Sequence, residues 1–164
     1  MKLVKNLIPY IIIFVIVVII RTYIITPVKV VGSSMVPTLE DKELLLLKKY
    51  DHKYERFEIV VFNYGASKLV KRVIGLPGEH VKYENNKLYI NNELIKEDFI
   101  SVKTTDFDLK QLGYDIIPDG YYFVVGDNRN NSKDSRMIGL ISADDILGST
   151  SFSFFPFNKF GVIK

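Results

Sequence analysis

Glu58-Ile59-Val60-Val61-Phe62-Asn63-Tyr64, followed at once by Lys68-Leu69-Val70-Lys71-Arg72-Val73-Ile74, decides the fold class. Both segments have strand length and are rich in β-branched and aromatic residues, as buried or half-buried strands require. Working outward, 28–31 reads as a short strand and 43–49 (ELLLLKK) as a continuous apolar one. Pro77-Gly78 marks a turn. The runs 80–83, Lys87–Ile90 and 93–96 come next, separated by Asn85-Asn86 and Asn91-Asn92. Asparagine tolerates left-handed backbone, so this region is a meander of short hairpins. Tyr121–Val125 and Ile146–Phe155 add two more strands, while 101–119 is polar and irregular, a loop or small cap. No long 3.6-residue periodicity follows Ile25, and there is no internal repeat. The expectation is an all-β fold of coiled antiparallel sheets in a barrel-like domain.

The 164 residues leave room for one domain plus an anchor. The net charge of +3 is spread along the chain rather than gathered into a stripe, so nucleic acid is not an expected partner. The absence of cysteine excludes disulfides, thiol catalysis and cysteine-ligated metal.

Residues 7–25 form a run of 19 positions broken only by Pro9, Arg21 and Thr22. As a helix it just spans a hydrocarbon core of ~30 Å. Pro9 falls in the first turn, and Arg21 lies where its stem can carry the charge to the interface. Lys2 and Lys5 precede the run and favour a cytoplasmic N-terminus, a preference weakened by Arg21 and Lys29 beyond it. A cleavable signal would end in an A-x-A-like site, whereas Ile25-Thr26-Pro27-Val28 follows here. The expected organisation is a cytoplasmic segment 1–6, a transmembrane anchor 7–25 and an extracytoplasmic β-rich domain 26–164 with a small cap around 84–118. The lipid bilayer is then a partner.

Gly32-Ser33-Ser34-Met35-Val36-Pro37-Thr38-Leu39 sets a serine on a stiff corner just past this run. Gly32 permits positive φ, and Pro37 fixes its own φ and biases Val36 toward extended geometry. A nucleophile needs such a corner, although ordinary turns share it. A base is offered by Lys71, which shares a strand face with Leu69 and Val73 while Arg72 takes the other. Desolvation lowers a lysine pKa from ~10.4 toward neutrality. A solvated lysine at a strand edge fits the spacing equally well. His52 and His80 sit in charged or turn-like surroundings without HExxH spacing, so no zinc or other metal is expected. A Ser–Lys pair needs neither histidine nor metal nor any cofactor. The third cluster runs from Gly126-Asp127-Asn128 to Ser132-Lys133-Asp134-Ser135-Arg136. In extended chain Ser132, Asp134 and Arg136 face one way, so Asp134 and Arg136 can pair bidentately and Ser132 can orient the Lys71 amine. A solvated charged loop is the plain alternative.

These segments, in this order, resemble the bacterial type I signal peptidases, membrane-bound Ser–Lys endopeptidases. Ser34-Met35-Val36-Pro37-Thr38 is similar to the family's nucleophile motif, and Glu58-Ile59-Val60-Val61-Phe62 to the strand before its base. Lys71-Arg72-Val73-Ile74-Gly75-Leu76-Pro77-Gly78 is similar to the base-bearing motif. The resemblance runs from the anchor to Phe157. It implies Ser34 as nucleophile and oxyanion donor through its N–H, and Lys71 as general base. It implies supporting roles for Ser132, Asp127, Asp134 and Arg136. It also implies that the substrates are signal-peptide-bearing precursors, cut after small residues at −1 and −3. Glu58 and Glu79 stand where relatives often carry aspartate, and Gly32 stands where some have a hydroxyl that helps bind the oxyanion.

Three other readings compete with this one. A self-cleaving repressor protease would need a DNA-binding domain in place of the anchor, and a structural β module would carry these motifs by accident. A catalytically silent, membrane-anchored relative that only binds precursors would have no need of both Ser34 and Lys71. Near the C-terminus, Phe155 and Phe157 flank Pro156 and are expected at the lipid interface, while Phe152 and Phe154 fit a β core as well.

Overall fold

The computed structural model describes residues 2–19, 25–49, 53–100 and 102–163. Helix α1, Lys2–Ile19, carries Pro9 inside it. From Leu7 to Val18 its described side chains are all exposed. Among the described residues no helix is long and apolar enough to cross a membrane. The expected span 7–25 needs correction at its far end. Ile25 opens strand β1, Ile25–Lys29, and residues 20–24 lie outside the described ones. Thr26-Pro27-Val28 is extended because Pro27 cannot donate a helical hydrogen bond and biases Thr26 away from the helix.

The strands from there on are antiparallel and fall in two sheets. β2 (Leu44–Lys48), β3 (Ile59–Tyr64), β4 (Ser67–Gly75), β9 (Tyr121–Val125), β10 (Ile141–Ser142) and β11 (Ile146–Phe155) join β1 in the order β1-β2-β11-β3-β4-β9-β10, with β12 (Gly161–Val162) paired on β11. β5 (Val81–Glu84), β6 (Lys87–Ile90), β7 (Glu93–Ile95) and β8 (Phe107–Asp108) form a second sheet ordered β7-β6-β5-β8. The hairpins β5–β6 and β6–β7 turn on Asn85-Asn86 and Asn91-Asn92, all four with positive φ. Within 101–119, expected as irregular, Phe107 pairs with Tyr83 and so adds a strand to the small sheet.

The antiparallel sheets expected are present, but the barrel-like arrangement is not closed: among the described residues β1 and β10 are the two ends of the large sheet's strand order. β5 to β8 pair among themselves and add no strand to the large sheet. Register shifts in β11 bend it, so that it borders β2, β3 and β12 along its length.

Burial on both faces explains why 59–62 of β3 and 122–125 of β9 are unbroken apolar or aromatic runs rather than alternating ones. Val61, Ile59 and Val70 pack with Val28, Met35, Leu39, Leu45 and Leu47 on one face. Val60, Phe62 and Val73 pack with Tyr54, Tyr122, Val124, Ile141 and Ile146 on the other. A third cluster, including Ile74, Val81, Tyr83, Phe107, Ile117 and Phe123, cements the small sheet to β4 and β9. A sheet covered on both faces reads as unbroken hydrophobic runs.

Candidate active site

The corner at Ser34 is set by buried side chains that follow it. Met35 and Leu39 are fully buried in the cluster beneath β1 and β2, and Leu39 N donates to Met35 O at 2.9 Å. Gly32 has φ +89°, its N–H donating to Asp41 Oδ1 at 2.8 Å, and Val36 N closes the turn on Ser33 O at 3.2 Å. With Met35 held below, Ser34 is left half-buried at the rim. The Val36–Pro37 peptide in this turn is cis.

Lys71 lies in β4, a central strand bracketed by β3 and β9, with Val60 directly opposite it. This settles the question the spacing left open: the lysine is 2% exposed rather than solvated at an edge. Its Nζ donates to Ser34 Oγ at 2.6 Å and to Val70 O at 2.8 Å. Burial lowers its pKa from 10.5 to about 8, against the opposing pull of the Asp134 and Asp127 charges. Val28, Val30, Val31, Met35, Leu69 and Val70 help line a cavity of about 30 Å³ beside the pair.

β9 runs alongside β4 and delivers the third cluster to the same place, with Val125 opposite Arg72 and Gly126 and Asp127 following. Gly126 is tightly enclosed: a Cβ there would stand 2.2 Å from Ser132 Oγ and 2.5 Å from Ser34 O. Only glycine lets the loop and the serine corner approach so closely. Asp127 is fully buried and takes Arg72 Nε at 2.9 Å and Nη2 at 2.6 Å, while the Thr38 hydroxyl also donates to it. Arg72 Nη1 donates to Phe57 O at 2.8 Å, and its guanidinium lies 4.0 Å from the Phe99 ring centroid. Asp127 thus braces β4 against the serine corner.

Asp134 and Arg136 form a bidentate pair, Nε to Oδ1 at 2.9 Å and Nη2 to Oδ2 at 2.8 Å. The extended geometry expected for this stretch does not hold. Asp134 caps the short helix α2, Ser135–Ile138, so Arg136 reaches back across a helical turn. Asp134 also accepts from Gly126 N at 3.0 Å, and Arg136 Nη2 donates to Arg129 O at 2.8 Å. Ser132 is brought against Gly126, but its buried Oγ has no hydrogen-bond partner, so the expected bond to Lys71 is absent. His52 lies outside the described residues, and His80 contacts Asp115 O and Asp108 in the small sheet. Among the described residues no group of three or more His, Asp or Glu is placed to hold a metal ion.

With the serine, the lysine and the third loop converging on one point, the comparison with known proteins is decisive. The sequence pattern of the family described as "Signal peptidase, peptidase S26" matches residues 3–155. The chain belongs to that family. Membership makes it a hydrolase, a serine endopeptidase of the signal peptidase I type. It is 41% identical over 154 residues to the Signal peptidase I of Bacillus amyloliquefaciens, covering 87% of this chain and 82% of that one. It is 39% identical over 165 residues to the Signal peptidase IB of Staphylococcus aureus strain Mu50, covering 90% and 86%. The crystal structure of a signal peptidase I from Enterococcus faecalis V583 superposes with a TM-score of 0.57 at 37% identity, over 59% of this chain and 96% of that one.

Several groups of this S26 peptidase site escape a reading of the sequence. Arg72 appears there as an anonymous neighbour of Lys71, and Thr38 as a turn residue. Arg129 is buried, paired with Glu97 at 2.6 Å and stacked over the Tyr83 ring, so it ties the loop to the small sheet. Asn128 and Asn131 reach Ser33 from the same loop. The one available signal was the excess of cations and carboxylates on segments that are otherwise buried, since buried charges come in pairs.

Proposed function

We propose that this chain is a membrane-anchored endopeptidase that removes signal peptides from exported precursors by Ser–Lys chemistry. The observation that carries the proposal is the 2.6 Å contact between Lys71 Nζ and Ser34 Oγ, made by an amine whose pKa burial holds at about 8. A general base works best when its pKa lies near the operating pH.

In this reading neutral Lys71 takes the Ser34 proton as Oγ bonds to the scissile carbonyl carbon. The carbonyl oxygen becomes an oxyanion facing the Ser34 N–H. Lys71 then passes the proton to the leaving nitrogen, the C–N bond breaks and an ester remains on Ser34. The mature chain departs as that amine. Water then gives a proton to Lys71 and attacks the ester, the C–Oγ bond breaks as the proton returns to Ser34 Oγ, and the signal peptide leaves with a new carboxylate. Asp127 and Asp134 act as braces, through Arg72 and Arg136 respectively, and Ser132 fills the space against Gly126. The side chains of Val28, Val30, Met35, Leu69 and Val70 line the cavity beside Ser34, an apolar surface that supports small uncharged residues at −1 and −3.

Anchoring is supported by the exposure of every described α1 side chain from Leu7 to Val18, apolar or aromatic except Pro9. The apolar part of α1, residues 7–19, reaches only ~20 Å at 1.5 Å per residue, short of a hydrocarbon core, so the anchor reading also rests on the largely apolar sequence that follows at 20–25. Phe155 and Phe157 are 44% and 82% exposed with ring centroids 5.8 Å apart, an arrangement suited to an interfacial contact. The N-terminus then faces the cytoplasm and the β domain the outside of the cell membrane. A silent precursor-binding role is not favoured, because both dyad residues are present and in contact. The test is cleavage of a purified precursor by the native, Ser34→Ala and Lys71→Ala forms. Loss in both variants with the fold intact supports the dyad, and retained cleavage in either refutes it.

A further inference from the structure

The Ser33–Ser34 peptide unit holds two groups of opposite direction on one rigid plane, the Ser33 carbonyl and the Ser34 N–H. Fixing one aims the other. Asn128, on the loop after β9, holds this region from two atoms: its side-chain Nδ2 donates to Ser33 O at 3.1 Å and its main-chain N donates to Ser34 O at 3.0 Å. Ser33 O also closes the local turn by accepting from Val36 N at 3.2 Å. The asparagine amide therefore supplies the second donor, from outside the turn. Asn131 Nδ2 adds a bond to Ser33 Oγ at 3.0 Å, which secures the side chain but not the plane.

The geometry points to Asn128 as the positioning residue of the oxyanion hole: by gripping the Ser33 carbonyl, it aims the Ser34 N–H at the developing negative charge. The inference rests on the reading of Ser34 as nucleophile given above. Gly32 adds weight to it. This glycine carries no hydroxyl, so at this end of the corner a donor can come only from main-chain N–H groups, Ser34's among them. Preorganised donors lower the barrier because they need not reorient as charge forms.

The experiment uses the full chain in detergent micelles, Asn128→Ala beside the native form, with a precursor peptide bearing small residues at −1 and −3. Three readouts are compared. These are kcat and KM, the affinity of a peptide boronate that forms a tetrahedral adduct on the serine, and the affinity of the same peptide with a non-cleavable reduced bond. The expected result is a fall in kcat of roughly 10- to 100-fold, below the cost of deleting a donor outright. KM stays within about two-fold, boronate affinity falls by the same factor as kcat/KM, and binding of the reduced peptide is unchanged. The acid limb of the pH profile stays in place, since Lys71 is untouched. Equal loss of both ligands, a shifted acid limb or unchanged kcat each overturns the inference. Asn128→Leu, similar in size and without a donor, repeats the measurement if the alanine form unfolds; should both unfold, Asn128 is a structural strut and the inference fails. A Ser34→Ala control that still cleaves sinks the reading of the site itself. An inactive Ser34→Ala beside a fully active Asn128→Ala sinks only the role of Asn128.

Discussion

Protons are the most direct probe of the lysine. The pKa of Lys71 falls from 10.5 to about 8 because burial disfavours the ammonium, and the two nearby carboxylates recover only part of the loss. In the proposed mechanism catalysis needs the neutral amine, so kcat/KM, which reports the free enzyme, is expected to follow its fraction. With a midpoint near pH 8, that fraction is about 0.9 at pH 9, about 0.1 at pH 7 and about 0.01 at pH 6. The expected drop between pH 9 and pH 6 is thus about 90-fold, along a limb of unit slope. The limb of kcat alone lies at lower pH, because a docked precursor buries the amine further. The same titration appears in stability. Between pH 8 and 10.5 the unfolded chain binds more protons at this lysine than the folded one, so folding stability rises with pH across that window. Below pH 8 both states are protonated and the burial cost is fully present, about 3 kcal/mol for this displacement. Urea unfolding of native and Lys71→Met forms from pH 7 to pH 11 isolates that contribution, since the methionine form lacks it. The assay for activity is initial-rate cleavage of a fluorogenic precursor peptide in buffers of constant ionic strength. A profile flat down to pH 5, or an acid midpoint near the histidine value of ~6.5, refutes lysine as the base.

Gly126→Ala drives a Cβ into Ser132 Oγ and the Ser34 carbonyl, so activity is expected to fall at least 100-fold while overpacking costs roughly 1–3 kcal/mol; wild-type kcat in a folded variant contradicts this. Asp127→Ala leaves Arg72 buried without its carboxylate, and thermal unfolding should show a loss of roughly 3–5 kcal/mol. A change below about 1 kcal/mol means the pair is not the brace described. Gly32→Ala meets no atom within 4 Å, but its φ of +89° is costly for an L side chain; an expected loss of ~1–2 kcal/mol is read from urea midpoints, and a neutral result removes the strain argument. Replacing Phe155 and Phe157 with Ser should reduce liposome association of the domain lacking residues 1–24, and unchanged association removes the interfacial role.

The sequence by itself determined the longer strands and the hairpin turns, because those depend on local chemistry, while the two-residue strands β8, β10 and β12 left no such trace. Tyr121–Val125 and Ile146–Phe155 fall where composition placed them, and the asparagine pairs turn their hairpins because asparagine tolerates positive φ. The adjacency of Lys71 to apolar residues was equally visible. What it did not contain was which strands neighbour which, since pairing between residues far apart in the chain leaves no local trace. That is why a barrel-like domain was expected and an open sheet found. Only the tertiary structure decided that β4 is central, which turns Lys71 from a solvated cation into a desolvated amine 2.6 Å from Ser34. It alone matched Arg72 to Asp127 and Asn128 to the Ser33 carbonyl, pairs separated by 55 and 95 positions. A charge acquires its role from what removes its water and what then faces it, and both are properties of the packed molecule.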